Sequence, residues 1–181
     1  MNTKKILAIA LPVLATTGLV LWANSNASAQ DLETVPQVDL QKYAGTWYEI
    51  ASIPQSFQKG CTCTKATYTP TDEGYVLVEN SCVKPEKDKI KSIKGKAFAE
   101  SGSGNAKLNV QFFWPFKGKY WIIDLADDYS YAVVGHPNRK YLWVLSRTPN
   151  MEESLYATLI KRAEDKGFDP TNIKMTVQCE E

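Results

Sequence analysis

The sequence is organised around Tyr43–Ala51, which reads Tyr-Ala-Gly-Thr-Trp-Tyr-Glu-Ile-Ala. Gly45 stands two places before Trp47, and the residues that follow are rich in the aromatic and β-branched types that favour strands. Such a stretch is typical of a strand that passes close to other backbone and buries one large ring. By itself, a Gly-x-Trp motif would equally suit an ordinary strand with a core tryptophan.

A second stretch, Tyr141–Pro149, supports the first. It reads Tyr-Leu-Trp-Val-Leu-Ser-Arg-Thr-Pro and predicts a strand that ends on Arg147. An arginine that lies across a tryptophan ring gains a cation–π contact and covers apolar surface with its stem. We therefore expect Arg147 to pack on Trp47, with Gly45 giving the backbone room at the start of the first strand.

Eight short segments alternate apolar and polar residues and are separated by turn residues. In Lys107–Trp114, for example, Leu108, Val110 and Phe112 alternate with polar side chains. Regularly spaced short strands of this kind predict an antiparallel sandwich or barrel. The predicted strands are Thr46–Ile53, Cys61–Thr69, Tyr75–Cys82, Lys89–Glu100, Lys107–Trp114, Lys119–Leu125, Tyr129–Val134 and Tyr141–Arg147.

One helix is predicted after these strands. Asn150 followed by Glu153 is akin to a capping box, and Gly167 would end the helix. Ile173–Cys179 then returns as an extended segment. The helix should pack outside the sheet through an apolar stripe formed by Met151, Leu155, Leu159 and Ile160.

Together these motifs resemble the lipocalin family, in its bacterial lipocalin, apolipoprotein D and chloroplast lipocalin branch. The resemblance covers roughly residues 38–178. It implies an all-β fold, an eight-stranded antiparallel up-and-down β-barrel (calyx) with one C-terminal α-helix packed outside. Gly45, Trp47 and Arg147 would then be the structural residues of its closed end.

The resemblance also implies a binding cavity inside the barrel. Alternation along the strands adds further inward positions, and it places Ala51 on the inner face as well. Glu49, if buried there, must be hydrogen-bonded, paired or protonated. For each residue of the predicted wall, the alternative is a place in the barrel core with no role in binding. The resemblance gives Tyr43, Tyr68, Asn80, Phe112, Trp143 and Leu145 as cavity wall, and alternation adds Glu49, Ala66 and Val78.

Four cysteines in an exported chain indicate two disulfides, for which three pairings are possible. Symmetry of the hairpin about residues 71–72 places Cys61 opposite Cys82, which leaves Cys63 for Cys179. The resemblance to apolipoprotein D supports the second pair, which would join the C-terminal tail to the barrel. A zinc cluster is the alternative, but export disfavours free thiolate ligands, and we expect no metal site.

Residues 1–29 have the composition of a secretory signal peptide. Lys4 and Lys5 precede an apolar run that extends to Ala23, and Ala27–Ala29 provides a small-x-small cleavage pattern. An uncleaved membrane anchor is the alternative, since the run approaches the roughly 20 residues that span a bilayer. We therefore predict a leader, 1–29, and a single lipocalin domain, 30–181.

The chain is nearly neutral, with 21 Lys and Arg against 20 Asp and Glu. Loss of Lys4 and Lys5 with the leader would lower the basic count by two, to 19, and leave a net charge of −1. This balance gives no electrostatic footprint for nucleic acid. The composition of the Lys-rich segment 84–96 favours a solvated strand face. The alternative is a patch that binds anionic lipid headgroups, which would give peripheral contact with membrane lipid.

The expected compartment follows from the leader and the first cysteine. Many bacterial lipocalins carry a lipid on a cysteine directly after the leader, whereas the first cysteine here is Cys61. We therefore expect a soluble exported protein without a lipoprotein cysteine after the leader. It would reside in the periplasm or, depending on the source, in the thylakoid lumen or outside the cell, as a monomer or weak dimer.

The sequence offers no catalytic constellation. His136, the only histidine, lies in a Gly-His-Pro-Asn turn without a Ser or Cys placed to partner it, and no phosphate or dinucleotide motif is present. We expect no catalytic residue and no cofactor. The resemblance implies binding and transport or storage of a small hydrophobic ligand (fatty acid, lysophospholipid, sterol or pigment), with envelope or membrane-lipid maintenance under stress as a role. The alternatives are an enzyme isomerising or de-epoxidising a bound lipid or carotenoid, and an interaction module with a filled barrel.

Overall fold

The computed structural model describes residues 31–87 and 89–179, in which nine strands, two α-helices and three short 3-10 helices are present. The predicted leader, 1–29, lies outside the described residues. The α-helices are α1 (Leu40–Tyr43) and α2 (Glu153–Asp165). The strands are β1 (Gly45–Ser52), β2 (Thr62–Pro70), β3 (Val76–Lys84), β4 (Lys89–Ala99), β5 (Lys107–Phe113), β6 (Phe116–Leu125), β7 (Tyr131–Gly135), β8 (Leu142–Ser146) and β9 (Lys174–Met175).

All the strands pair antiparallel in one sheet of order β2-β3-β4-β5-β6-β7-β8-β1-β9. Because β1 also pairs with β2, the first eight strands close into a barrel, which confirms the predicted fold. Consecutive strands run in opposite directions, so their connections alternate between two ends. We call the end at which β1 begins the closed end; it holds turns 71–75, 100–106 and 126–130. The other, the open end, holds the loops 53–61 and 136–141 and the β3–β4 and β5–β6 connections.

The closed end is built on Trp47, whose side chain is fully buried. The Arg147 guanidinium lies 3.8 Å from the centre of the Trp47 ring, as predicted. Its three nitrogens donate hydrogen bonds to the backbone carbonyls of Lys42 (2.7 Å), Thr46 (3.0 Å) and Tyr129 (3.2 Å). One side chain therefore joins three separate segments of the chain around a buried ring.

The short helix α1 covers the closed end. The Asp39 side chain caps it by accepting a hydrogen bond from the Gln41 backbone N–H at 2.9 Å. Its last residue, Tyr43, is buried, and the Tyr43 carbonyl accepts a hydrogen bond from Trp47 Nε1 at 2.9 Å. Gly45 then begins β1 with φ of +92°, a conformation that side-chain-bearing residues rarely adopt. The glycine is therefore required where α1 turns into β1.

A bulge in β1 corrects one prediction from alternation. The β1–β8 register shifts between Glu49 and Ala51, so the side chains beyond the bulge change face. Ala51 was predicted to face inward, but it is buried with Ile50 outside the barrel, in the same cluster as Leu159 of α2. A single inserted residue inverts strand alternation, which is why the period-2 argument fails there.

Helix α2 packs outside the barrel, as predicted, and buries Leu159 and Ala163. It begins later than the predicted cap at Asn150. The Asn150 carbonyl accepts a hydrogen bond from Thr148 Oγ1 (2.7 Å), and the first helical carbonyl is that of Glu152. The predicted N-cap at Asn150 was therefore wrong.

The C-terminal tail closes a gap in the barrel wall. β1 pairs with β2 only from Gly45 to Tyr48, and β9 pairs with β1 beyond that point. Further along, the Val177 carbonyl accepts a hydrogen bond from the Cys63 backbone N–H at 2.7 Å. Disulfides join Cys61 to Cys82 and Cys63 to Cys179, the pairs expected from the hairpin and the resemblance.

Within residues 31–87 and 89–179, no helix is long and apolar enough to cross a membrane. In the same part of the chain, no group of three or more His, Cys, Asp or Glu side chains is arranged to hold a metal ion.

Replacing Trp47 by alanine should destabilise the fold severely. The change leaves a cavity beneath Arg147, and deletion of a buried aromatic ring costs about 3–5 kcal/mol. Urea unfolding measures the loss in the free energy of unfolding. Trp114, 86% exposed, provides the matched control: Trp114→Ala should change stability by no more than about 0.5 kcal/mol. Equal losses for the two variants would contradict the role given to Trp47.

Candidate ligand-binding cavity

The barrel encloses a cavity of about 650 Å³ that begins above the closed end and opens between the open-end loops. This volume lies in the range of small-molecule sites. Eight of the nine predicted wall residues line it: Glu49, Ala66, Tyr68, Val78, Asn80, Phe112, Trp143 and Leu145.

Tyr43 is the predicted wall residue that does not line the cavity. It is 2% exposed and packs between the Trp47 ring (4.9 Å between ring centres) and the Tyr68 ring (5.3 Å). Because it belongs to α1 rather than to a strand, it lies beneath the side chains that face the cavity. The floor, as used here, consists of Tyr43, Tyr68 and Tyr120 above Trp47.

Tyr120 lines the cavity but was missed at the sequence level. Next to the turn of the β5–β6 hairpin, Phe113 pairs with Phe116. If that register continued along both strands, Trp121 would lie opposite the inward-facing Leu108. A register shift between Val110 and Phe113 instead pairs Leu108 with Tyr120. Tyr120 therefore points inward and Trp121 packs outside the barrel. The sequence carries no signal for that one-residue shift.

The three floor tyrosines form a chain of hydroxyl groups. Tyr68 donates to the Tyr120 hydroxyl oxygen at 2.8 Å, and the Tyr43 and Tyr120 hydroxyls are also 2.8 Å apart. Burial raises the pKa of each of the three tyrosines well above its ordinary value. The floor consequently remains neutral at any physiological pH.

Glu49 lies higher in the wall and is almost fully buried. One carboxylate oxygen accepts hydrogen bonds from Ser52 Oγ (2.8 Å) and Thr176 Oγ1 (2.7 Å). The other accepts from Gln58 Nε2 at 2.8 Å. Hydrogen bonding thus satisfies this buried acid, the first of the three states that the sequence allowed for it.

Asn80 is a second polar group of the wall. Its Oδ1 is buried and has no hydrogen-bond partner among the described residues. Buried carbonyl oxygens are normally paired, so this acceptor is available to a ligand that carries a donor. Asn80 and Val78 both lie on the inner face of β3, and Asn80 is the nearer of the two to the open end.

Large apolar side chains are exposed around the cavity mouth, where β4, β5 and β6 end or begin. His136 and Tyr141 line the mouth as well, and partial burial lowers the pKa of His136. We call the exposed set the rim; it consists of Phe57, Ile90, Phe113, Trp114 and Phe116. Three of these residues, Phe57, Phe113 and Phe116, also line the cavity.

Comparisons with known proteins agree with this geometry. A family model described as a lipocalin-like domain matches residues 38–178. The chain belongs to the lipocalin family. The outer membrane lipoprotein Blc of Vibrio cholerae is 38% identical to this lipocalin over 150 residues, which cover 82% of the chain and 87% of the relative. Temperature-induced lipocalin-1 of Arabidopsis thaliana is 38% identical over 160 residues, covering 83% and 85%.

A solved structure supports the fold independently. Insecticyanin from the tobacco hornworm Manduca sexta superposes on this lipocalin with a TM-score of 0.67, at 21% identity and over 83% of this chain and 86% of that one. At this level of identity the likeness shows the shared barrel.

The floor tyrosines should be the last to ionise. In the unfolded chain all nine tyrosines lose their protons near pH 10, whereas the folded chain keeps the three floor hydroxyls, and that of the partly buried Tyr156, neutral to higher pH. Since these raised pKa values favour proton binding by the folded state, their stabilisation is complete below about pH 10 and is lost as the pH rises further. Near-ultraviolet titration of folded and urea-unfolded protein measures the difference. Simultaneous ionisation of all nine in the folded protein would contradict a sealed floor.

Proposed function

We propose that this lipocalin is a non-enzymatic carrier that transports or stores one small hydrophobic ligand in its barrel. The observation that carries the proposal is the cavity of about 650 Å³, closed at one end and walled mainly by aromatic and aliphatic side chains. Fatty acids, lysophospholipids, sterols and pigments are the ligand classes considered. Maintenance of envelope lipids under stress is the role that we propose with it.

Apolar burial can supply the affinity. A ligand that transfers about 300 Å² of apolar surface from water gains roughly 7–8 kcal/mol at about 25 cal/mol per Å². Micromolar affinity corresponds to about 8 kcal/mol, and part of the apolar gain is offset by the loss of ligand freedom on binding. Burial of this size therefore predicts affinity weaker than micromolar, and a larger buried area would be needed to reach it. The few polar groups of the wall would then mainly set the orientation of the ligand and make a smaller contribution to its affinity.

Two features favour a carrier over an enzyme. All four cysteines are held in disulfides, so the isomerase or de-epoxidase alternative has no free thiol to use. His136 Nδ1 accepts a hydrogen bond from the Asn138 backbone N–H at 3.1 Å, a turn interaction.

Both disulfides also suit an exported protein, in the periplasm or an equivalent oxidising compartment. We propose in addition that the protein is a monomer or weak dimer.

Trp143→Ala should weaken ligand binding more than folding. The Trp143 ring lines the cavity near its mouth and lies beside Tyr141, 6.3 Å between ring centres. Loss of this apolar surface should reduce affinity for a fluorescent fatty acid about tenfold or more. Fluorescence titration gives the affinity, and urea unfolding gives the stability.

Trp121 is the matched control for Trp143. It is buried outside the barrel, and therefore Trp121→Ala should lower stability while the folded protein keeps its affinity. Unchanged affinity in Trp143→Ala would remove this residue from the site. Absence of any saturable binding to the native protein, together with no small molecule in its organic extract by mass spectrometry, would favour a filled barrel.

We also propose that the open end contacts membranes that carry anionic lipid. Exposed lysines surround the rim, whereas the only described acid in the open-end connections is Glu86. Exposed acids lie at the closed end instead: Asp39, Asp72, Glu73, Asp127 and Asp128. This polarity would turn the cavity mouth toward a negative surface, where rim aromatics can enter the headgroup region. The exposed open-end lysines are Lys59, Lys87, Lys89, Lys91, Lys117 and Lys140.

Cosedimentation with phosphatidylcholine vesicles, with and without phosphatidylglycerol, tests this contact. Lys87→Gln with Lys89→Gln should weaken binding to the anionic vesicles by more than tenfold, since each lysine contributes about 1 kcal/mol near such a surface. Lys42→Gln with Lys161→Gln removes the same charge away from the open end and should have little effect. Equal losses for the two pairs would indicate binding through net charge alone.

A further inference from the structure

The floor hydroxyls do not use all their protons among themselves. Three phenols carry three O–H groups, and two hydrogen bonds join them: Tyr68 to Tyr120, and Tyr43 with Tyr120. Each bond takes one proton. One O–H group therefore remains for a partner outside the chain of hydroxyls.

The position of that spare proton follows from burial. If Tyr120 donated to Tyr43, the spare proton would belong to Tyr43, which is 2% exposed and outside the cavity lining. A buried donor without an acceptor loses its hydrogen bond to water and gains none in return, so this arrangement is disfavoured. If Tyr43 donates to Tyr120 instead, the spare proton belongs to Tyr120, which does line the cavity. The second arrangement is the favoured one.

We propose that the Tyr120 hydroxyl is the polar anchor of the cavity and that its ligand is an uncharged apolar molecule whose leading end carries an acceptor oxygen. Tyr120 accepts two hydrogen bonds, from Tyr43 and Tyr68, and so becomes a stronger donor through cooperative polarisation. A carbonyl, ester, ether or hydroxyl oxygen at the tip of a hydrocarbon would meet this donor at the bottom of the barrel. The proposal rests on the carrier function and adds the chemistry of its ligand.

An ionised carboxylate is a poor match for the floor. Arg147 lies across Trp47 and uses its nitrogens on three backbone carbonyls. Among the described residues, four lysines line the cavity: Lys65, Lys91, Lys117 and Lys119. Lys119 is paired with Glu100 at 2.9 Å and Lys65 lies over the Tyr48 ring, while Lys91 and Lys117 lie on the open-end side. A carboxylate placed on Tyr120 would therefore be buried without an ion-pair partner, which is costly, whereas a neutral oxygen carries no such penalty. A fatty acid would instead leave its headgroup near the mouth.

The test compares a long-chain methyl ketone with the saturated hydrocarbon of equal length, each displacing a fluorescent fatty acid. The wild-type protein should bind the ketone roughly five- to tenfold more tightly, the effect of one hydrogen bond. Tyr120→Phe keeps the ring and should remove this preference while the hydrocarbon still binds. Tyr75→Phe removes a hydroxyl outside the cavity lining and should keep the preference.

Each outcome bears on a separate part of the proposal. A ketone preference that survives in Tyr120→Phe, or its absence in a wild-type protein that binds both ligands, overturns the anchor. An equal loss of fatty acid and ketone affinity in Tyr120→Phe overturns the restriction to uncharged ligands. Failure of the wild-type protein to bind any of the three would instead refute the carrier function. Should Tyr120→Phe fold poorly, the infrared carbonyl stretch of the ketone in the wild-type cavity decides: a shift to lower frequency than in hydrocarbon solvent supports the bond, and no shift overturns it.

Discussion

The contact between the Arg147 guanidinium and the Trp47 ring is the constraint on which the rest of the barrel depends. At a partly exposed arginine a cation–π contact contributes roughly 1 kcal/mol, but the larger effect is geometric. Guanidinium nitrogens lie in a rigid plane, so hydrogen bonds to Lys42, Thr46 and Tyr129 fix α1, the start of β1 and the β6–β7 turn relative to one ring. Sealing this end leaves the opposite end as the route into the cavity.

A sealed end also determines the order of polar groups along the barrel axis. Neutral phenols lie directly above Trp47, the Asn80 amide and the Glu49 carboxylate lie higher in the wall, and lysines surround the rim. Positive charge thus increases toward the mouth, whereas Lys119, the lining lysine next to Tyr120, is paired with Glu100. An amphipathic ligand in such a gradient is sorted by its headgroup: anionic ends stay near the lysines, and neutral oxygens can reach Tyr120. Cavity shape and charge therefore act on ligand orientation together.

The sequence predicted those parts of the molecule that depend on alternation and on paired motifs. Gly45, Trp47 and Arg147 could be placed because the two motifs that carry them resemble the lipocalin signature. Alternation also placed Glu49, Ala66 and Val78 on the cavity wall. It failed at Ala51, which lies beyond the β1 bulge, and it did not identify Tyr120, whose inward position depends on a register shift in the β5–β6 hairpin.

Such shifts depend on contacts between strands far apart in sequence, which local patterns do not encode. The helix start shows the same limit at short range. Asparagine is a favoured N-cap residue, yet the Asn150 carbonyl already accepts a hydrogen bond from the Thr148 hydroxyl. The hydrogen bond from the Thr148 hydroxyl competes for this carbonyl with the first backbone hydrogen bond of a helix that would begin at Asn150. Residue preferences alone do not predict which of the two forms.

The polar network around Glu49 links the cavity wall to the C-terminal tail. Its carboxylate accepts from Gln58 of an open-end loop and from Thr176, 127 residues later in the chain, while Gln178 Nε2 donates to its backbone carbonyl at 2.7 Å. The disulfide at Cys179 holds that tail on β2. Without the tail, a buried carboxylate would lose one hydroxyl donor and the seam between β1 and β2 would lose its covering strand. The tail thus supports the cavity wall through Glu49, and the disulfide between Cys63 and Cys179 holds the tail in that position.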